Sequence, residues 1–176
     1  MLRVPEKPAV ISNNGPLVAL WTLDLLPLLR DLYTEVLIPE EVKNEFLATH
    51  RSVRQQALEN APWITTVTLV TPLDEWVQRG IHRGEAAVFA LAKERGTRLV
   101  ILDDKDARRY AKRIGLPVTG TVGILLEAKR RGLIDAIKPL LDKLLESGVR
   151  LGVSLVNDTL QEAGEIDRAI PSTPDD

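Results

Sequence analysis

Short apolar runs alternate with longer amphipathic stretches along this chain, which predicts strands set between helices. Pro8 to Ser12 reads as a buried strand that closes on the turn cluster Asn13-Asn14-Gly15-Pro16. Leu17 to Arg30 is Leu-rich and helix-like, with a break near Pro27. Glu35 to Ile38 is a second strand. Pro39 then opens a helix to Leu47, at a first position where its missing N–H costs nothing. A polar helix over Ser52 to Asn60 and a strand within Trp63 to Val70 follow. Arg83 to Glu94 is a helix whose middle, Ala86 to Ala92, is apolar all round, as a buried helix is. Arg98 to Leu102 is a buried strand, and Asp103-Asp104 leads into a helix reaching Ile114. Leu116 to Val118 is a brief strand, and Thr119-Gly120-Thr121 opens a helix ending near Gly132. Two last helices cover Ile134 to Leu145 and Val153 to Ala163.

Strand–helix alternation of this kind predicts an α/β fold: a three-layer α/β/α sandwich around a short central parallel sheet. The 176 residues suit one domain, expected over residues 1–165, with 166–176 as a polar tail. The Met1 to Pro8 segment has no apolar signal core. The longest greasy stretch, Pro16 to Leu29, is too short to span a bilayer and contains Asp24. A cytoplasmic protein with no membrane partner is expected.

Composition narrows the chemistry. Cys is absent and His is limited to His50 and His82, which excludes thiolate sites and sites built on several histidines. The 25 acids against 23 bases give a net charge of −2, so any nucleic-acid role must rest on local charge. Aromatics are only 4%, which argues against an extended base-stacking platform.

Ligands of open α/β sheets bind beyond the carboxyl ends of the strands. Polar groups gather there: Ser12, Asn13 and Asn14 after the first strand, Asp103 and Asp104 after a later one, Thr119 and Thr121 after the last. Glu85 heads the apolar helix face that carries Val88, Phe89 and Ala92, and Glu45 lies beside the stripe of its own helix. Carboxylates brought together without bases repel unless a cation intervenes, and oxygen-only donors suit Mg²⁺ or Mn²⁺. Each acid also has a plainer role: Asp103 or Asp104 as an N-cap, Glu85 as a helix-dipole partner, Glu45 as solvated surface, the threonines as caps.

Between Arg98 and Arg131 nine bases face four acids, a local net of +5. Lys105, Arg108, Arg109 and Lys112 share one helix face, Arg113 extends the patch, and Lys129 to Arg131 form a second cluster. A basic rim beside an acidic, metal-filled notch suits a phosphodiester substrate. From Asn157 to Asp176 the sign reverses to −5, and this acidic segment is a candidate screen for the basic rim.

The chain resembles the PIN-domain-like family. The resemblance rests on Ile11-Ser12-Asn13-Asn14-Gly15-Pro16-Leu17, Leu23-Asp24-Leu25-Leu26 and Ile38-Pro39-Glu40-Glu41-Val42. More strongly, it rests on Gly84-Glu85-Ala86, Leu102-Asp103-Asp104 with Ala107-Arg108-Arg109, and Thr119-Gly120-Thr121-Val122-Gly123 with Ala128-Lys129. It spans about Val10 to Glu165 and implies a metal-dependent endoribonuclease, many of whose prokaryotic relatives are toxins of toxin–antitoxin pairs. It implies Glu85, Asp104, Asp103 and Glu45 as catalytic ligands of Mg²⁺ or Mn²⁺. Asn13 falls where the family places its first acid. The resemblance puts Thr119 and Thr121 near the scissile phosphate, and the charge pattern makes Lys105, Arg108 and Arg109 the candidates to hold the RNA backbone. Its implied partners are RNA, an antitoxin protein and a second copy, with Leu20 to Leu32 as the candidate dimer surface. Because Asn13 brings no charge, the competing expectation is a PIN-like module with weakened or lost catalysis that binds RNA or a protein. A third is a structural α/β domain whose acids are caps.

Overall fold

The computed structural model describes residues 8–166. The readings placed on Met1 to Lys7 and on the tail beyond Ile166 lie outside the described residues. The packing divides the chain into two compact units at the boundary between Ile124 and Leu125.

The first unit carries the sheet. Strands β1 (Ala9–Ser12), β2 (Val36–Pro39), β3 (Ile64–Val67), β4 (Thr97–Ile101) and β5 (Val118–Thr119) are all parallel, in the order β3-β2-β1-β4-β5. Helices α1 (Asn14–Thr22), α2 (Pro27–Tyr33), α3 (Glu40–Phe46), α4 (Arg51–Glu59), α5 (Asp74–Gln78), α6 (Arg83–Arg95) and α7 (Lys105–Arg113) connect the strands and flank the sheet. This is the α/β sandwich that the alternation predicts. Register is tight where it matters: Ser12 pairs with Ile101, and the Asn13 N–H donates to the Ile101 carbonyl at 3.0 Å. The carboxyl ends of β1 and β4 are therefore level and adjacent.

Helix α6 is the axis of this unit. Ala86 to Ala92 are at most 4% exposed, and the helix packs on β1, β2 and β4 as well as on α3 and α5. Four of those seven residues are alanines, which let backbones approach closely, while Phe89 and Leu91 supply apolar area.

Three local readings need correction. Asn14, Gly15 and Pro16 form the first turn of α1 and no separate turn; a proline is tolerated there because first-turn N–H groups have no intrahelical partner. Pro39 ends β2 and is the N-cap of α3, with extended ψ of 157°. The Leu-rich segment expected as a dimer surface is instead spent on the core: Leu20, Leu23, Leu26, Leu28, Leu29 and Leu32 are all buried. The short α5 and the buried cation of the polar α4 have no counterpart in the sequence reading. Arg54 lies over the Trp21 and Phe46 rings at 4.7 and 5.1 Å and donates to the Phe46 carbonyl at 2.8 Å. Burial lowers its pKa, and the two aromatic faces take the place of a carboxylate.

Helix α8 (Thr121–Arg130) begins in the first unit and continues into the second, which adds α9 (Lys138–Glu146) and α10 (Val153–Glu162). One carboxylate ties the second unit together. Gly164 ends α10 at φ +70°, a left-handed value that glycine adopts without strain, and turns Glu165 back. Glu165 then accepts from the Ile137 and Lys138 backbone N–H groups at 2.6 and 2.8 Å, capping α9, and pairs with Lys129 at 2.7 Å. Burial pushes its pKa up, but the Lys129 ammonium and the two backbone donors outweigh that and hold it below the usual carboxylate range.

A group with a depressed folded pKa stabilises above its unfolded pKa and loses that contribution as pH falls through the folded value. Glu165→Ala is therefore expected to cost about 1–3 kcal/mol at pH 7. In urea titrations the gap between wild type and variant should narrow as pH falls through the depressed folded value; a gap that stays constant from neutral to acid pH would show that the carboxylate charge contributes nothing.

Candidate active site

Chain order runs outward from β1 to β2 and β3, then returns across β1 to β4 and β5. The order thus reverses between β1 and β4, and the crevice at their carboxyl ends is the topological switch point where ligands of open sheets bind. Asn13 follows β1 there, and Leu102, Asp103 and Asp104 follow β4.

Each acid at this edge is held at a helix N-terminus. Asp104 is the N-cap of α7, and its Oδ1 accepts from the Asp106 and Ala107 N–H groups at 2.9 and 2.8 Å. That leaves Oδ2 outside the cap. Asp103 accepts from the Thr121 N–H at 2.8 Å and the Thr121 hydroxyl at 2.6 Å, so both its oxygens serve the start of α8. Glu85, in the first turn of α6, reaches back to the backbone of the N-cap residue His82, half of a capping box. Glu45 lies on Gly84: a Cβ there would sit 2.8 Å from the Glu45 Cδ and Oε2 and closer still to Oε1. A side chain at position 84 would force the Glu45 carboxylate to move from the start of α6.

Glu85 and Asp104 line one cavity of about 550 Å³, with His82, Phe89, Tyr110 and Arg109. Burial pushes the Glu85 pKa above the ordinary carboxylate range, and the Asp104 charge, then Glu45, push it further; His82 opposes them. Glu45 is raised too, first by lost hydration and then by Glu41, against the pull of His82 and the Gly84 backbone. Glu41, Glu45, Glu85 and Asp104 therefore form one repelling string. Three oxygens of this edge are buried without a hydrogen-bond partner: Asn13 Oδ1, Asn14 Oδ1 and Glu41 Oε2. Orphaned acceptors and repelling carboxylates both gain from a hard cation, so the donor set fits Mg²⁺ or Mn²⁺ in kind. Among the described residues no three His, Asp or Glu side chains are grouped as a formed metal cage.

The candidate substrate residues separate. Arg109 lines the cavity and pairs with Asp106 at 3.1 Å. Lys105 is exposed at the start of α7. Arg108 turns inward and donates to the Leu102 carbonyl at 2.8 Å, and a Cβ on Gly120 would meet both Arg108 Nη1 and Asp103 Oδ1 at 2.7 Å. Thr121 is buried at 2% exposure, and the Thr119 hydroxyl lies over Gly123 in the first turn of α8. The Lys129 to Arg131 cluster is neutralised locally by Glu165 and Glu127.

Sequence reasoning missed Glu41, His82, Arg79 and Tyr110. Glu41 had a signal, since it stands four residues before Glu45 and so on the same helix face. Arg79, His82 and Tyr110 had none stronger than position: each reaches the cavity from a turn, a cap or a helix flank.

A family model described as a PIN domain matches residues 9–165. No curated protein matches the chain. No helix among the described residues is long and apolar enough to cross a membrane.

A carboxyl whose pKa is raised by folding favours the fold when protonated and opposes it as pH rises through that value. Glu85→Gln keeps an acceptor for the cap and removes the repelling charge. In chelator-treated buffer at pH 7 it should raise the melting temperature by a few degrees, since ~1 kcal/mol is about 2–4 °C at this size and partial hydration limits the gain. Calorimetry at pH 4 should find the gain gone. A lower melting temperature at pH 7 would show that the acids do not repel.

Proposed function

The chain belongs to the PIN-domain family, and on that premise we propose that it is a divalent-metal-dependent endoribonuclease hydrolysing RNA phosphodiesters. One observation carries the reading: Glu85 from the first turn of α6 and Asp104 from the N-cap of α7 open into a single cavity, and the charge of Asp104 raises the proton affinity of Glu85. Glu85 and the uncommitted oxygen of Asp104 are the residues that would hold Mg²⁺ or Mn²⁺ directly. Glu45 and Asp103 support them, Asp103 chiefly by fixing the start of α8. Asn13 offers a neutral carbonyl oxygen. When bound, such an ion polarises a phosphoryl oxygen and lowers the pKa of a water. Arg109 on the cavity wall takes an RNA phosphate, with Lys105 exposed at the start of α7. Thr119, Thr121 and Arg108 do not line that cavity; Thr121 holds Asp103 and Arg108 holds the Leu102 carbonyl.

Asn13 favours a second reading, a PIN module with weakened catalysis that binds RNA or a protein. Its Oδ1 is buried and unpaired, so the position keeps a donor oxygen but brings no anion. A toxin-type role, an antitoxin partner, a homodimer and a cytoplasmic location belong to the first reading and rest on the family alone.

The test is cleavage of a mixed single-stranded RNA pool with MnCl₂ by wild type, Asp104→Asn and Asn13→Asp. Asp104→Asn keeps a capping oxygen, so the helix survives. It should lower the rate at least about a hundredfold, the scale of several kcal/mol of lost metal-ion stabilisation. Asn13→Asp should lower the Mn²⁺ concentration needed for half-maximal rate. Cutting by Asn13→Asp alone would favour the second reading, and equal rates in wild type and Asp104→Asn would sink the first.

A further inference from the structure

The carboxylate cavity does not end at the acids. A second cavity of about 360 Å³ adjoins it, lined by Trp76, Phe89, Ala92, Tyr110, Ile114 and Leu116. Phe89 and Tyr110 line both cavities, with ring centroids 5.0 Å apart and planes tilted by 46°. The two hollows thus meet across an aromatic step. On one side stand Glu85, Asp104 and Arg109; on the other the walls are apolar and two of the three ring systems are mostly covered, Trp76 at 9% and Phe89 at 2% exposure. Tyr110 is only half-buried and forms the lip. Arg113 lies over the Tyr110 ring at 5.1 Å, faces the carboxylate cavity, and has no acidic partner among the described residues. Glu75 and Lys93 also line the second cavity, one an acceptor and one a donor.

Resting on the nuclease reading, we propose that this second cavity seats the base of the nucleotide next to the reacting phosphate. The substrate is then RNA with an unpaired, unstacked base at that position. A nucleotide needs what these hollows supply in sequence: cations for its phosphate, then an apolar hollow whose open ring is Tyr110 for its base, then polar groups for the base edge. The adjacency of this hollow to the carboxylate cavity, across the shared Phe89 and Tyr110 rings, selects this occupant over an apolar protein side chain, because the polymer that presents a phosphate to Glu85 and Asp104 carries a base within reach of that wall. A paired base stays in its helix and cannot enter, so the hollow selects against duplex. This gives the chain a stacking element despite its few aromatics, because one step suffices where an extended platform is absent.

The test uses the full chain in EDTA, so that RNA is bound and not cut, and a fluorescent single-stranded RNA ten-mer beside a hairpin of the same composition. Wild type should bind the ten-mer more tightly than the hairpin stem. Tyr110→Ala should weaken ten-mer binding by at least about fivefold, the lower end for one stacked base, and Tyr110→Phe should restore it. Ile114→Asp, at a position 46% exposed and so tolerant of change, should reproduce the loss with the fold intact by calorimetry. The base seat is overturned if Tyr110→Ala and Tyr110→Phe lose affinity equally, if Ile114→Asp loses none, or if the stem binds as well as the ten-mer. A wild type that cuts RNA with Mn²⁺ while showing any of these outcomes removes the seat alone. A wild type that neither binds nor cuts RNA removes the nuclease reading with it.

Discussion

Helix N-termini gather at one edge of this sheet, and their unpaired backbone N–H groups must find acceptors. The starts of α6, α7 and α8 all meet acids at or beside the carboxyl ends of β1 and β4. Each start presents the positive end of a helix dipole, which favours negative charge nearby. The acids are therefore wanted by the fold before any ligand arrives. That solves half of a problem: a carboxylate near a helix start is stabilised, but several such carboxylates together repel one another. Glu85 and Glu45 record the surplus as raised proton affinity. The fold is content with one acid per helix start, and the excess negative field is what remains for chemistry.

Capping and chemistry are thus not rival explanations of these residues. Asp104 divides them within one carboxylate, with Oδ1 given to two backbone donors and Oδ2 outside the cap. Asp103 accepts a hydrogen bond on each of its oxygens from Thr121 at the start of α8. Adjacent residues of one type in one motif so receive different duties, decided by which helix start each can reach. Asn13 gives the complementary case. It lies at the same edge, locked to β4 through its backbone, and its side-chain oxygen is left without a donor. An amide there keeps an oxygen acceptor and adds no negative charge.

Much of this was legible from residues alone. Short apolar runs and the 3.6 pattern place four of the five strands and nearly every helix; the last strand, read over Leu116 to Val118, lies at Val118–Thr119, and the helix expected from Thr119 begins at Thr121. The acids at strand ends were legible because the edge where loops leave a parallel sheet is fixed by topology. What escaped is what depends on three-dimensional neighbours. Arg54 sits in a helix whose composition reads as surface, and only the Trp21 and Phe46 rings make its burial tolerable. Arg108 belongs by spacing to an outward basic face, yet the Leu102 carbonyl draws it in. His82 looks like a lone loop histidine until α6 brings it beside two carboxylates. Helical spacing tells which residues share a face; it does not tell which way a long flexible side chain folds over it.

The knot made by Glu165 sets a limit on how short this protein can be made. Its carboxylate serves a lysine and two amides that lie about thirty residues upstream, and it stands at the last residue of the family match. A recombinant fragment stopped anywhere before it would leave the opening turn of α9 and the Lys129 ammonium without their acceptor. Trimming the acidic end to unmask the basic face would therefore loosen three helices at once, and a gain in RNA affinity from such a fragment would measure unravelling, not unmasking.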